Sequence, residues 1–174
     1  MSNEQSLYGV QWSIVPSGMV PSAQTVREAK FETTAGVVKF AVGQSGSIVF
    51  VAPITTSLPA GRYVLRVVLE RDDPTEPNQE PGLLGTNLQL WRRNLNELGD
   101  TRHVLKLDQS VGAPVLGGQG IYVADSDADN FPDGFNVDAF FYWIQVEMRQ
   151  QSPATDTTRN SVMGIMLMGD VGPV

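Results

Sequence analysis

The chain has 174 residues, enough for one domain with its own core. It contains no cysteine, which excludes disulfides, zinc–thiolate sites and cysteine nucleophiles. Its 12 basic residues stand against 19 acidic ones, a net charge of −7, and this balance argues against a nucleic-acid partner, which clustered Lys and Arg would bind.

The first five residues are polar and lack the basic and apolar regions of a secretory signal. No apolar run approaches the ~20 residues that a helix needs to cross a bilayer. We therefore expect no signal peptide and no membrane span, in a chain made in the cytoplasm.

Short segments in which apolar and polar residues alternate recur along the chain, and 17 Gly and 11 Pro separate them. The predicted strands, in chain order, are 7–14, 36–42, 47–52, 63–70, 88–91, 103–107, 120–124, 140–149 and 161–168. This pattern predicts an all-β chain, an antiparallel β-sandwich or jelly roll of about eight to ten strands. We expect one domain over residues 1–174.

One segment is ambiguous, and three others are predicted as polar loops. Residues 23–32 (AQTVREAKFE) fit either a short helix or a strand, and the strand is preferred. The stretch 72–82 (DDPTEPNQEPG) contains three Pro, four acids and no hydrophobic residue, so it is predicted to be exposed. The other two polar loops are 125–138 and 150–160.

The loop 125–138 places acidic residues at alternating positions, as a hard cation requires. The candidate oxygen donors are the side chains of Asp125, Asp127, Asp129 and Asp133 and the carbonyl of Phe131. Over about a dozen residues the loop resembles the calcium loops of the EF-hand and thrombospondin type 3 families. It departs from them at Asn130 and Asn136, where those families place Gly and a bidentate Glu. A structural Ca²⁺ is one interpretation, and a solvated acidic loop is the other.

Catalysis is not predicted. His103, the only histidine, lies in a strand pattern, and no G-x-S-x-G elbow provides a nucleophile for it. A glycosidase with two carboxylates is the catalytic alternative, because it needs only two acids at a suitable separation.

Four aromatic residues are the candidates for a binding or subunit surface. Trp91 and Trp143 alternate with aliphatic residues and therefore belong to the face opposite the core, where Phe141 also falls. With Tyr122 they could stack on sugar rings or anchor an interface. The alternative is that another part of the chain covers them.

The last predicted strand, 162–168 (VMGIMLM), is apolar on both faces. Such a strand is either central in its sheet or buried between subunits. We therefore predict a homo-oligomer.

Four segments occur in a characteristic order: SIVFVAP, LPAGRYVLRVVLE, FFYWIQVEM and VMGIMLMG. Over residues 46–169 this order resembles bacteriophage virion jelly rolls, the β domains of tail fibres, spikes and capsid decoration proteins. The resemblance implies a non-enzymatic virion component, commonly trimeric, that binds other virion proteins or a surface glycan. The order is also similar to β-sandwich carbohydrate-binding modules, which are the alternative, and a glycoside hydrolase on a β scaffold is the third reading.

Overall fold

The computed structural model describes residues 8–28, 30–71, 85–97, 99, 101–108, 120–150, 153–156 and 159–170. In these ranges the chain forms two antiparallel sheets that face each other as a β-sandwich, as predicted. The strands are β1 Tyr8–Ile14, β2 Val20–Pro21, β3 Phe31–Thr34, β4 Val37–Phe40, β5 Gly46–Ile54, β6 Gly61–Arg71, β7 Gly85–Asn94, β8 Thr101–Asp108, β9 Gly120–Asp125, β10 Asp129–Phe131, β11 Phe140–Gln150 and β12 Asn160–Asp170. A 3₁₀ turn at Pro16–Gly18 and the helix α1, Ala23–Glu28, complete the elements.

The two sheets contain seven and five strands in the described part of the chain. The seven-stranded sheet has the order β10-β6-β12-β4-β3, with β1 also paired to β12 and β9 to β6. The five-stranded sheet has the order β2-β5-β11-β7-β8. No helix within the described residues has the length and apolar character to span a membrane.

The core lies between the sheets and is built by strict alternation. On β11 the inward residues Tyr142, Ile144, Val146 and Met148 are each at most 2% exposed. On β6 the inward run from Tyr63 to Leu69 takes every second residue in the same way. Because successive side chains on a strand point to opposite faces, the odd-numbered residues of β11 must lie on the outer surface.

Strand β12 is apolar on both faces because it is central. It pairs with β6 along one edge and with β1 and β4 along the other. Leu167 points into the core, whereas Met168, on the other face, is 6% exposed and is paired with Val64. The position within the sheet therefore accounts for the composition of this strand, and the homo-oligomer stays a prediction.

The preference for a strand over residues 23–32 is wrong for its first part. Residues Ala23–Glu28 form α1, and the strand β3 begins only at Phe31. The Ser22 hydroxyl accepts the Thr25 N–H at 3.2 Å, which caps the helix. The Thr25 hydroxyl accepts the Val49 N–H at 2.8 Å and donates to the Val49 carbonyl at 3.2 Å, so α1 satisfies the backbone of β5 beside β2.

Tyr63 joins the start of β6 to the loop that follows β10. It is 1% exposed, and its hydroxyl donates to the Pro59 carbonyl at 2.7 Å. Its ring meets those of Phe131 and Phe135 edge to face, with centroids 5.7 and 4.9 Å apart. Burial raises the pKa of the Tyr63 phenol above its ordinary value.

We expect Tyr63→Phe to lower the free energy of unfolding at neutral pH by about 1 kcal/mol, since it removes one hydrogen bond and leaves the Pro59 carbonyl without its partner. At alkaline pH we expect the wild type to lose more stability than the variant. A phenol whose pKa is raised in the folded state contributes stability below about pH 10, and that stability is lost as pH rises through the folded-state pKa. Urea unfolding of both proteins from pH 7 to 11 should show the variant losing less stability above pH 10. Parallel pH curves would contradict the assignment.

Candidate functional site

Three aromatic side chains lie together on the outer face of the five-stranded sheet. Phe141 and Trp143 are on β11, and Trp91 is the register partner of Trp143 on β7. The two indole rings are nearly parallel, at 7° with centroids 6.1 Å apart. The Phe141 ring follows at 5.8 Å from Trp143 and a tilt of 33°. We call Phe141, Trp143 and Trp91 the aromatic row.

The aromatic row is accessible from outside. Phe141 is 48% exposed, and both tryptophans are partly exposed. Directly paired residues on neighbouring antiparallel strands have their side chains on the same face, which is why Trp91 and Trp143 meet. Large aromatic side chains that stay partly exposed are a common mark of a ligand or partner surface.

Apolar residues extend the aromatic row across the sheet. Pro53 on β5 is paired with Trp143, and Val51 is paired with Gln145 two residues further along. On the edge strand β2, Val20 is paired with Val51 and is 63% exposed. The apolar surface therefore crosses β7, β11, β5 and β2, and it moves two residues along β5 between Pro53 and Val51.

Polar side chains border the row on one side. Gln89 and Gln145 are paired across β7 and β11, one step along each strand from the tryptophans. The Trp91 indole Nε1–H donates to Gln89 Oε1 at 3.1 Å, which fixes both side chains. Further along the same face, Arg149 binds Glu147 through two hydrogen bonds of 3.1 and 2.9 Å. These groups can donate to and accept from a ligand lying over the rings.

A shallow hollow lies at the opposite end of the row, beside Phe141. Its volume is about 290 Å³, and Arg93, Asn94, Leu95 and Glu97 form the rest of its wall. The sequence pattern does not single out these residues or the two glutamines as candidates for a site. The only feature of the sequence that could indicate them is alternation: Gln89 and Arg93 lie two residues from Trp91 on β7 and therefore on the same face of the strand.

Tyr122 does not belong to this surface. It lies on β9 of the seven-stranded sheet, paired with Leu69 of β6. Of the four aromatic residues predicted to form a binding or subunit surface, the structure therefore brings together three.

The five predicted calcium donors lie in different local contacts. The backbone carbonyl of Asp127 accepts the hydroxyl hydrogen of Ser126 at 2.8 Å. Asp125 forms a bidentate ion pair with Arg66, with distances of 2.6 Å to Nε and 2.7 Å to Nη2. The hydrogen bond to Asp125 raises the pKa of the Arg66 guanidinium. Asp129 begins β10, and its Oδ1 accepts the Asn130 N–H at 2.8 Å.

The Phe131 carbonyl accepts the Gly134 N–H at 3.0 Å, within a tight turn that contains Asp133. Within the described residues no three side chains of His, Asp or Glu gather as a metal would require. Calcium binding stays a prediction for this loop. A rise in melting temperature with added Ca²⁺ that EDTA reverses would support it, and an unchanged melting temperature would contradict it.

No protein-family model and no curated protein matches the chain. Among solved structures it is similar to TmCBM61 in complex with β-1,4-galactotriose, at 11% identity and a TM-score of 0.38, over 87% of this chain and 86% of that one. It is also similar to the xylan-binding module CBM15, at 13% identity and a TM-score of 0.38, over 80% and 81%. A third similar structure is the Stig cyclase Fisc from Fischerella sp. TAU, at 12% identity and a TM-score of 0.45, over 97% and 91%.

Proposed function

We propose that the chain is a carbohydrate-binding module and that the aromatic row is its binding surface. The observation that carries the proposal is the pair of parallel, partly exposed indoles with two amide side chains beside them. A sugar ring has an apolar C–H surface and a rim of hydroxyl groups. The indole rings can pack against the C–H surface of the sugar, and the glutamine side chains can form hydrogen bonds with its hydroxyl groups.

The shape of the surface indicates how a glycan would lie. The apolar residues run across the sheet from Trp91 through Trp143 and Pro53 to Val20. An exposed strip that crosses four strands can contact several successive sugar units from one side, whereas a deep pocket would enclose one. We therefore propose a polysaccharide or long oligosaccharide as the ligand, bound along its length.

Affinity electrophoresis of the full chain through gels containing single polysaccharides tests the proposal. The panel should include xylan, β-glucan, galactan, mannan and a bacterial surface polysaccharide. We expect at least one polymer to retard the wild-type protein and the variant Val123→Ala equally, and Trp143→Ala much less. Val123 is the matched control because it is 57% exposed but lies on the other sheet. Equal retardation of Trp143→Ala, or none by any polymer, would contradict the proposal.

The virion origin and the absence of catalysis stay predictions. A glycan-binding domain fits both the virion reading and a module outside a particle, and the structure describes a single chain. Release of reducing sugar from a bound polymer would contradict the non-enzymatic reading.

The predicted trimer is tested by light scattering at micromolar concentration. We expect a mass three times the chain's 18.9 kDa. The outer face of the seven-stranded sheet has an exposed apolar residue, Val10 at 55%, that an assembly could cover. A single species of 18.9 kDa would contradict the trimer.

A further inference from the structure

A second concave site lies at the end of the sandwich where β11 begins. It is a cleft of about 740 Å³, and its walls include Arg92 of β7, Arg102 of β8, Asp129 of β10, Asp133 of the following turn, and Phe140 and Tyr142 of β11. Arg92 is paired with Tyr142, which points inwards. The cleft is therefore on the opposite side of the β7–β11 pair from the aromatic row, and the two sites are distinct.

Arg92 is held in the cleft with part of its hydrogen-bonding capacity unused. Its guanidinium carbon lies 4.6 Å from the centre of the Phe140 ring, a cation–π contact. Its Nε atom is buried and has no hydrogen-bond partner among the described residues. A buried N–H group without an acceptor costs free energy. A ligand oxygen that accepted this hydrogen bond would remove that cost and so favour binding.

The charges of the cleft restrict the chemistry of that ligand. Two guanidinium groups, of Arg92 and Arg102, and two carboxylates, of Asp129 and Asp133, share the wall. The carboxylates disfavour an anion, and the guanidinium groups disfavour a cation. Guanidinium groups only donate hydrogen bonds and carboxylates only accept them, whereas a hydroxyl group does both. Neighbouring hydroxyl groups on a neutral molecule therefore match this wall.

We infer that the cleft binds one neutral sugar unit, such as the end of a glycan chain. The hydroxyl groups lie between the guanidinium groups and the carboxylates, and one of their oxygens accepts from Arg92 Nε. The C–H surface of the sugar packs against the apolar part of the wall, which includes Pro132 and Val104. The inference goes beyond the aromatic row, because a cleft that encloses one unit can bind a small glycoside that the flat row cannot hold.

The test is calorimetric and ligand-observed NMR titration of the full chain with small glycosides. The neutral set is the methyl pyranosides of glucose, galactose and mannose, and the acidic set is the methyl glycosides of glucuronic, galacturonic and mannuronic acid. We expect at least one neutral glycoside to bind, and its acidic counterpart to bind at least about tenfold more weakly. Binding of no neutral glycoside, or equal binding of the acidic counterpart, would overturn the inference.

The double variant Asp129→Asn, Asp133→Asn tests the charge argument directly. Both residues are exposed, and asparagine keeps an oxygen that can accept the Asn130 N–H, so folding should be preserved. With the carboxylates gone, the two arginines dominate the cleft, and we expect the preference to shift towards the acidic glycosides. An unchanged preference would overturn the inference.

Failure of the cleft can be distinguished from failure of the aromatic row. Trp143→Ala should bind the small glycoside as the wild type does, while it loses the polysaccharide. The double asparagine variant should keep polysaccharide binding. If Trp143→Ala instead abolishes glycoside binding, the small sugar binds at the row and the inference about the cleft is wrong.

Discussion

Trp143→Ala is expected to lower the affinity for the bound polysaccharide by at least about 30-fold, corresponding to about 2 kcal/mol, the loss typical of a central tryptophan at a binding surface. Trp143 is the middle ring of the row, in contact with Phe141 on its own strand and Trp91 on the next. Its removal therefore takes away one stacking surface and leaves the Trp91 ring without its parallel neighbour. Trp143→Phe should retain part of the affinity, because an aromatic face remains.

This loss should come with little change in stability. Trp143 is on the outer face, and the core side of β11 is formed by Tyr142, Ile144 and their alternating partners. We expect the melting temperature of Trp143→Ala to stay within a few degrees of the wild type, since surface substitutions away from the core cost little. Phe141→Ala, at the exposed end of the row, should cost less affinity than Trp143→Ala. The order of the two effects would be reversed if the hollow beside Phe141 were the main binding site.

The sandwich could be predicted from the sequence because its signal is local. Every second residue of 140–149 is apolar, and the structure buries four of these five residues as expected, with Phe140 partly buried. The same alternation assigned Trp91 and Trp143 to the outer face. Their contact could not be predicted, because it depends on β7 and β11 being neighbours, and residues 91 and 143 are far apart in the chain.

The spacing of acidic residues in the loop 125–138 does not predict which groups they contact in the fold. The spacing groups Asp125 with the acids that follow it, but in the fold Asp125 forms an ion pair with Arg66, because β6 lies beside β9. An ion pair between residues 59 positions apart leaves no trace in the local pattern. The helix α1 is one of the two structures that residues 23–32 allow, and the apolar pattern does not favour it over a strand. The sequence feature that favours the helix is Ser22, a capping residue three positions before Thr25. The apolar residues of 23–32 fit the period of a helix and that of a strand.

Gly134 is where the acidic loop meets the rest of the fold. Leu58 and Phe135 form an isolated antiparallel bridge, in which the Leu58 N–H donates to the Phe135 carbonyl at 3.2 Å and the Phe135 N–H donates to the Leu58 carbonyl at 2.9 Å. This contact holds the turn before β6 against the loop after β10. Phe135 itself is 1% exposed and packs on Tyr63 and Tyr142. Gly134 therefore positions both a core aromatic residue and the neighbouring Asp133 of the cleft.

Gly134→Ala is expected to lower the free energy of unfolding by about 3 kcal/mol, since the residue has a left-handed conformation and no room for a side chain. Its φ is +65°, and a Cβ atom there would lie 2.2 Å from the Leu58 carbonyl oxygen and 2.7 Å from the Pro59 carbonyl carbon. Both are backbone atoms, so the turn itself would have to move. In a domain of this size the melting temperature should fall by about 6–12 °C.

Gly43→Ala is the matched control for this steric argument. Gly43 has a similar φ of +80°, but no atom of the described residues lies within 4 Å of its Cβ position. The control carries the conformational cost alone, about 1 kcal/mol, and the difference between the two variants measures the clash with the 58–60 backbone. Thermal unfolding of both variants should give a melting temperature for Gly134→Ala well below that of Gly43→Ala, and equal melting temperatures would mean that the two segments are not in contact.

Because the same turn positions Asp133, Gly134→Ala should also weaken glycoside binding in the cleft, while polysaccharide binding by the aromatic row persists below the melting temperature.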